Sequence, residues 1–337
     1  MEVVKIKRHS RSLAESYVGP RGETLIQVIE PSELSLVMRF LLSRKNGTTR
    51  ASYFGDLCQY FEFLKFIRRK SYLVAKRLDV DAFQEYLRRH GPVGRGAPNS
   101  NRTVLRKVSC VSSFYTFLCR EDVLLSNPCQ FVERLRVSRE VKTEALGTQD
   151  FKTLLNSLDR ERVYDRMYYA VFLLLGTTGM RIGELTSLRI DSYSFRKGES
   201  VLQFKVQKSN KLVVKVLPKS VQNSIDEHLM DRMSTNPQDP LFASCRTIAS
   251  EAPRDLSRMS VFKKLKRKIS DLKIDGHEAL NIHSFRAGFI TKALDKYSLS
   301  EVAKEVGHTS ISQTHEYDKR RTNNSLGAAN FIMEDEQ

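Results

Sequence analysis

A chain of 337 residues is longer than one hydrophobic core usually supports, so the sequence predicts two domains. Its 56 lysines and arginines outnumber its 39 aspartates and glutamates, and the net charge of +17 points to a polyanionic partner, nucleic acid above all. No apolar run approaches the ~18 residues of a membrane span, and the first ten residues lack the apolar core of a signal peptide, so we expect a cytoplasmic protein. The five cysteines form no C-x-x-C pair, and we expect no disulfide framework.

The first part of the chain is predicted to be a basic arm followed by a helical bundle. Residues 1–30 are mixed and basic and show no core of their own. Apolar residues then recur at helical spacing in 31–45, 51–70, 80–90 and 102–122. We expect these stretches to pack as an all-helical domain over 31–130. Arg68 and Arg69 end the second stretch and are candidates for contact with nucleic acid.

A second domain is predicted to begin near residue 148. Residues 131–147 alternate in charge with little apolar periodicity, as expected of a linker. Helical patterns cover 148–158 and 161–176, and the second is apolar nearly all round, so it should be central to the domain. We place the end of this domain near residue 325, with 326–337 as a C-terminal tail.

An arginine stands at the start of the next helical segment, in the stretch LGTTGMRIGELTSL over 175–188. Ile182, Leu185 and Leu188 form its inward side, so this segment should pack beside the apolar helix. Arg181 directly follows an apolar run and a glycine turn, where a purely structural helix would seldom place a guanidinium. It is therefore a candidate functional residue.

A hairpin and a basic helix are the next predicted elements. Apolar residues alternate along 201–206 and 212–216, which is typical of half-buried strands. The alternating residues are Leu202, Phe204 and Val206, then Leu212, Val214 and Val216. Lys208 and Lys211 lie at the predicted tip. Residues 255–274 form a cation-rich helix that faces either a phosphate backbone or water. The candidate DNA-binding residues are Lys211 at the hairpin tip and, on the helix, Lys263, Lys264, Lys266 and Arg267.

The last motifs carry the remaining candidate residues. His283 and Arg286 are spaced i, i+3 near a predicted helix start, so their side chains should point the same way. Two capping-box signatures predict two short helices around Gly307 and His308, with Tyr317 near the second turn of the last one. The capping-box pairs are Ser298 with Glu301 and Ser310 with Gln313.

Taken in order, these residues resemble the active-site set of the tyrosine recombinases, also called the phage integrase family. The set is Arg181, Lys208, His283, Arg286, His308 and Tyr317. The strings TTGMRIGEL, HSFRAGF and VGHTSISQTHEY are similar to three family boxes, and the resemblance covers about residues 148–325. Phe285 stands where the second box usually has leucine, and Ala287 where many members have histidine. Neither departure removes a catalytic group.

The resemblance implies a role for each matched side chain. Tyr317 would attack a DNA phosphate and conserve the energy of the phosphodiester as a covalent 3′-phosphotyrosyl bond. Arg181 and Arg286 would grip the non-bridging oxygens, whose charge grows in the transition state. His283 would act as the base for the tyrosine hydroxyl, and His308 would donate a hydrogen bond to a phosphate oxygen.

The remaining roles concern the leaving group and the support of the site. Lys208 fits the family position for the acid that protonates the leaving 5′ oxygen, and Lys211 is the alternative. Glu184, one turn beyond Arg181, would steer the active-site side chains. This chemistry requires no metal and no cofactor, and the sequence shows no metal-ligand pattern.

The resemblance also implies the fold class and the partners. We expect a mainly α protein with a small β-hairpin or sheet (α+β), in which a helical core-binding bundle precedes a mixed catalytic domain of the DNA breaking-rejoining type. The expected partner is double-stranded DNA clamped between the two domains. Four protomers would assemble on paired sites, together with accessory DNA-bending or directionality proteins. We expect a nucleoid-associated protein of the cytoplasm, encoded by a bacterium or by a phage or other mobile element.

Two other functions fit the same residues. A catalytically silent DNA-binding regulator would keep the fold and the charge without the chemistry. A type IB topoisomerase or telomere resolvase would share the chemistry but not the outcome. Each matched residue taken alone also has a structural interpretation, and only their joint order and spacing favour the recombinase.

Overall fold

The computed structural model describes residues 25–90, 98–136, 143–206, 212–232, 236–244, 253–274, 276, 278–308 and 310–318. The chain divides into two compact units, residues 1–138 and 139–337. The described residues are mainly helical with one small sheet, which confirms the predicted fold class. No helix within these ranges is long and apolar enough to cross a bilayer.

The first unit is a helical bundle. Its helices are α1 (Leu25–Val28), α2 (Pro31–Leu42), α3 (Gly47–Phe63), α4 (Arg77–Arg89) and α5 (Asn101–Arg120). Asn46 fixes the start of α3, because its side-chain oxygen accepts hydrogen bonds from the backbone N–H groups of Thr48 and Thr49 at 2.9 and 3.3 Å. α3 therefore begins a turn earlier than the predicted stretch over 51–70.

Aromatic side chains fill the core of this unit. Tyr60 and Tyr115 are fully buried, and their hydroxyl oxygens lie 2.9 Å apart. The Tyr115 hydroxyl also donates to the carbonyl of Tyr72 at 3.0 Å, so the buried polar ends are satisfied. The apolar stripe of α3 thus belongs to the core, as its spacing indicated. At the end of α2, Phe40 is buried, whereas Leu42 is 37% exposed.

The cysteines of this unit are free thiols. Cys58, Cys110 and Cys129 are buried, and burial raises the pKa of each thiol. For Cys110 and Cys129 the pKa reaches about 12. These thiols remain protonated at neutral pH and act as small core residues. Cys245 lies outside the described residues.

The second unit surrounds one buried helix. Its elements are α6 (Thr148–Asn156), α7 (Val163–Thr178), α8 (Ile182–Leu185), β1 (Tyr193–Arg196), β2 (Glu199–Lys205), β3 (Leu212–Val216), α9 (Lys219–Met230), α10 (Arg258–Asp271), α11 (His283–Leu294), α12 (Leu299–Glu305) and α13 (Ile311–His315). α7 contacts α6, α8, α9 and α11 and is buried almost all round, as its apolar composition predicted. Phe285, which stands where the family box usually has leucine, stacks on Phe172 of α7 with ring centroids 5.3 Å apart. Its side chain therefore packs inward.

The sheet has the antiparallel order β1-β2-β3, and its register corrects one expectation. Lys215 of β3 pairs with Leu202 of β2, and cross-strand partners share a face. Lys215 is therefore buried, at 8% exposure, on the core side of the sheet. The alternating apolar residues of β3 face solvent instead. They are Leu212, Val214 and Val216, which are 51%, 52% and 56% exposed.

The basic helix α10 also differs from expectation at one residue. Lys264 is buried, its ammonium pairs with the carboxylate of Asp165, and it lies 5.1 and 5.5 Å from the ring centroids of Tyr164 and Tyr168. The prediction that Lys264 contacts DNA is therefore wrong. The buried stripe of α10 consists of Val261, Lys264, Leu265 and Ile269. Three of these four residues are apolar, and Lys264 shares their inward face.

The remaining candidate cations of α10 lie nearer the surface. Lys263 and Arg267 are exposed. Lys266 is half-buried and donates to the carbonyl of Glu278 at 2.9 Å. Contact of these three residues with DNA stays a prediction.

Adjacent lysines on α10 should differ sharply in their effect on folding. Lys264→Met leaves the Asp165 carboxylate buried without its cation, so we expect a loss of about 3 kcal/mol in the free energy of unfolding, measured by urea denaturation. Lys263→Met removes an exposed lysine and should change it by less than about 0.5 kcal/mol. Equal stability of the two variants would contradict the buried pair.

Candidate active site

A glycine turn brings Arg181 to the start of α8. α7 ends at Thr178, and Gly179 follows with a φ of +60°, the left-handed region that favours glycine. A Cβ atom at Gly179 would lie 2.5 Å from the ring of Phe289, so the position also requires a close approach. Gly179 and Met180 separate the two helices, and Arg181 is the N-cap residue of α8.

Glu184 holds Arg181 from both ends. Its carboxylate accepts the Arg181 backbone N–H at 2.8 Å through Oε2 and the guanidinium Nη1 at 3.1 Å through Oε1. Glu184 is 2% exposed, whereas the side chain of Arg181 is 19% exposed. The carboxylate therefore orients the guanidinium from the protein side and leaves its outer edge accessible.

Arg286 joins two distant segments of the chain. From α11, its Nη1 donates to the carbonyl of Gly179 at 2.6 Å, and its Nη2 donates to the carbonyl of Val306 at 2.7 Å. Burial and the nearby charge of Arg181 lower the pKa of Arg286 to about 10, against the opposing influence of Glu184 and Tyr317. The guanidinium stays charged at neutral pH.

His283 lies one turn before Arg286 on the same helix. Partial burial of the imidazole and the positive charges of Arg286, Arg181 and Arg258 lower the pKa of His283 below its ordinary value. The neutral form is thus favoured at neutral pH, and only the neutral form can accept a proton. Arg258 begins α10 and is exposed.

His308 and Tyr317 face each other across the last short helix. The ring nitrogen Nδ1 of His308 lies 2.8 Å from the hydroxyl of Thr314, a residue with no exposed surface. The rings of His308 and Tyr317 are stacked, with centroids 6.4 Å apart and an interplanar angle of 20°. Tyr317 packs against a small apolar cluster that includes Ile290 and Val306.

Two details of this helix differ from the predicted ones. Ser298 and Glu301 form the expected capping box at the start of α12. At the start of α13, however, the Ser310 side chain accepts from the backbone N–H of Ser312, not from Gln313. α13 ends at His315, so Tyr317 lies in the turn directly after it and not in a second helical turn.

The structure brings together most of the predicted catalytic set. The residues that converge are Arg181, Glu184, His283, Arg286, His308 and Tyr317. Lys208 and Lys211 lie outside the described residues. Arg68 belongs to the first unit, where it pairs with Asp79 at 2.8 Å, and Arg69 beside it is exposed. Among the described residues, no cluster of histidine, cysteine and carboxylate side chains has the form of a metal site.

Sequence reasoning missed three contributors to the site. Thr314 supports His308, Arg258 adds positive charge near His283, and Lys215 lies buried beside Arg286, Glu184 and Gly307. A single lysine within the apolar strand LVVKV was the available signal for the last of these. The alternation of Leu212, Val214 and Val216 predicted that these residues face the core, which places Lys215 on the other face. The register of the hairpin, which decides between the two faces, does not follow from the sequence.

Comparisons with known proteins agree with this geometry. The phage integrase family profile matches residues 144–324. The tyrosine recombinase XerC of Roseiflexus castenholzii is 27% identical over 297 residues, which cover 85% of this chain and 88% of the relative. The tyrosine recombinase XerD of Halalkalibacterium halodurans is 26% identical over 274 residues, with coverage of 81% and 87%.

Two solved structures have a similar fold. The XerH site-specific recombinase, bound to a palindromic difH substrate in a post-cleavage complex, has a TM-score of 0.64 and 15% identity, covering 95% of this chain and 92% of that one. The Tn1549 transposon integrase, in complex with a circular intermediate DNA, also has a TM-score of 0.64 and 15% identity, with coverage of 90% and 98%.

The lowered pKa of His283 can be measured directly. In an NMR titration of the imidazole we expect a pKa below the ordinary value of about 6.5, because partial burial and nearby cations both oppose its protonation. Arg258→Gln removes one of those cations and should raise the pKa. Lys263→Gln removes an exposed cation of the same helix and should leave it unchanged. A pKa at or above 6.5 in the unmodified protein would contradict this account.

Proposed function

This chain belongs to the phage integrase family, the tyrosine recombinases that cleave and rejoin DNA at specific sites, and we propose that Tyr317 is its nucleophile. The observation that carries the proposal is the bridge made by Arg286. Its two bonds to the carbonyls of Gly179 and Val306 unite the segments that carry Arg181, His308 and Tyr317.

The two arginines are proposed to hold the scissile phosphate. A guanidinium has five N–H donors, and the bonds to Gly179 and Val306 use two of those of Arg286. Arg181 is held by Glu184 on its inner side and keeps an accessible edge. Both positive charges would bind most strongly to the pentacoordinate transition state, in which the phosphate oxygens carry extra negative charge. Because this binding is stronger in the transition state than in the ground state, it would accelerate the reaction.

The proposed cleavage step is an in-line displacement. The Tyr317 oxygen forms a bond to phosphorus as the bond from phosphorus to the 5′ oxygen breaks. The phenol proton passes to His283, whose lowered pKa keeps it neutral and able to accept. Lys208, or Lys211 as the alternative, supplies a proton to the leaving 5′ oxygen. Attack by a 5′ hydroxyl of the partner strand reverses these steps and rejoins the DNA.

His308 is proposed to complete the phosphate site. When the Thr314 hydroxyl donates to Nδ1, the neutral ring carries its proton on Nε2, the form that donates to a phosphate oxygen. Its stacking with Tyr317 also couples the position of the nucleophile to that of this donor. Glu184 acts as a positioning residue through Arg181.

We further propose how the chain engages DNA. Residues 31–130 would form the core-binding domain and residues 148–325 the catalytic domain, which agrees with the division of the chain into two compact units. Exposed cations, among them Lys263, Arg267 and Arg69, would contact phosphates and make the affinity fall steeply with salt. The complexes of XerH and of the Tn1549 integrase with DNA support this arrangement. A homotetramer on paired sites and accessory proteins complete the proposal.

Covalent capture tests the nucleophile. Incubation with fragmented genomic DNA of the source cell, followed by denaturation, should leave DNA attached to the protein, and sequencing that DNA maps the cleaved site. A nicked duplex carrying the mapped site should then trap the adduct efficiently. Tyr317→Phe should abolish the adduct without loss of DNA binding, because only the attacking hydroxyl is removed.

The matched control is Tyr297→Phe, which removes the hydroxyl of an exposed tyrosine in the same unit and should leave adduct formation intact. An adduct that persists in Tyr317→Phe, with the phosphate mapped to another side chain, would refute the assignment. Relaxation of a supercoiled plasmid that lacks the mapped site would favour a topoisomerase instead.

A further inference from the structure

Lys215 places a buried ammonium group beside the candidate active site. Its side chain is 7% exposed, and its Nζ donates to three acceptors: the carbonyl of Thr178 at 3.2 Å, the carbonyl of Glu305 at 3.0 Å and the Glu305 carboxylate at 2.6 Å. An ammonium has three N–H donors, so these three bonds use them all.

These acceptors belong to the ends of two helices. Thr178 is the last residue of α7, and Glu305 is the last residue of α12. The final carbonyls of a helix lack partners within the helix, and the helix dipole makes that end negative. The ammonium group of Lys215, on β3, therefore binds the carboxyl ends of both helices and joins them.

Lys215 and Arg286 bind neighbouring carbonyls of the same two segments. Lys215 takes those of Thr178 and Glu305, and Arg286 takes those of the next residues, Gly179 and Val306. Two buried cations from different elements thus fasten one segment to the other. Each segment leaves its helix at this point and turns through a glycine of positive φ, Gly179 or Gly307.

The catalytic groups follow directly after these fastened carbonyls. Arg181 comes two residues after Gly179, and His308 comes two residues after Val306. We infer that Lys215 is a positioning residue for DNA cleavage: it fixes the distance between the segments that present Arg181 and His308 to one phosphate. The inference rests on the proposed function. Because its three donors are occupied, Lys215 does not serve as the acid for the 5′ oxygen.

The test measures cleavage separately from binding. With the nicked duplex that carries the mapped site, Lys215→Met should lower the single-turnover rate of adduct formation at saturating DNA on the order of 100-fold, the loss expected when catalytic groups shift by about 1 Å. Its affinity for the same duplex should change by less than about threefold, because exposed cations supply most phosphate contacts.

A matched control separates positioning from general destabilisation. Lys264→Met also deletes a buried lysine that pairs with a carboxylate in the same unit. At a temperature where both variants are folded by circular dichroism, Lys264→Met should cleave at the unmodified rate. Equal loss in both variants would overturn the inference. Glu305→Gln changes a side chain that is 59% exposed, so it keeps the fold, and a several-fold loss of rate is expected.

A sulfur leaving group separates positioning from acid catalysis. In a duplex with sulfur in place of the bridging 5′ oxygen, departure needs no proton, because thiols have a pKa of about 8.5. We expect Lys215→Met to remain slow on this duplex, whereas recovery of its rate would make Lys215 the acid and overturn the inference. An unmodified rate on the ordinary duplex would also overturn it. If the unmodified protein forms no adduct at all, the proposed function itself fails.

Discussion

The bridge from Arg286 to Gly179 and Val306 is the interaction on which the site depends. It joins positions 107 and 20 residues away from Arg286, and no local propensity could bring these segments together. Because two backbone carbonyls serve as its ligands, the guanidinium is held by the fold before any substrate arrives. The arrangement is therefore preorganised, and the reaction need not include the cost of ordering it.

The distribution of charge in the site follows from the same bridge. Arg181 lies close enough to Arg286 to oppose its charge, and Glu184 offsets only part of that repulsion. Lys215 adds a third cation, itself buried, with Glu305 as its carboxylate partner. A site built in this way favours an anion, and a phosphate between the two guanidiniums would relieve their repulsion. The same positive charges add to the effect of burial in lowering the pKa of His283.

The sequence determined the elements well where a single local signal dominated. The apolar run over 161–176 made α7 central, and Ser298 with Glu301 predicted the start of α12. The resemblance to the family boxes identified residues of one site that are more than 100 positions apart in the chain. The first strand of the sheet and helix α9 were not anticipated, because short polar segments acquire their structure from packing.

The errors share a physical cause. Lys215 and Lys264 are charged residues, and sequence reasoning assigns charge to the surface. Both are buried because tertiary partners compensate their charges: helix-end carbonyls and Glu305 for Lys215, and Asp165 for Lys264. Such partners are 37 to 99 residues distant along the chain. Periodicity alone contains no information about these partners. Only the structure therefore shows which face of β3 is buried and that Lys264 of α10 points inward.

A change of charge on the scissile phosphate tests the central claim most directly. A methylphosphonate replaces one non-bridging oxygen with an uncharged methyl group, which removes the negative charge that Arg181 is proposed to hold. Arg181→Ala should cleave the ordinary phosphate about 100- to 1,000-fold more slowly than the unmodified protein and regain most of that loss on the methylphosphonate. An equal loss on both duplexes would show that Arg181 does not neutralise the phosphate and would contradict the account.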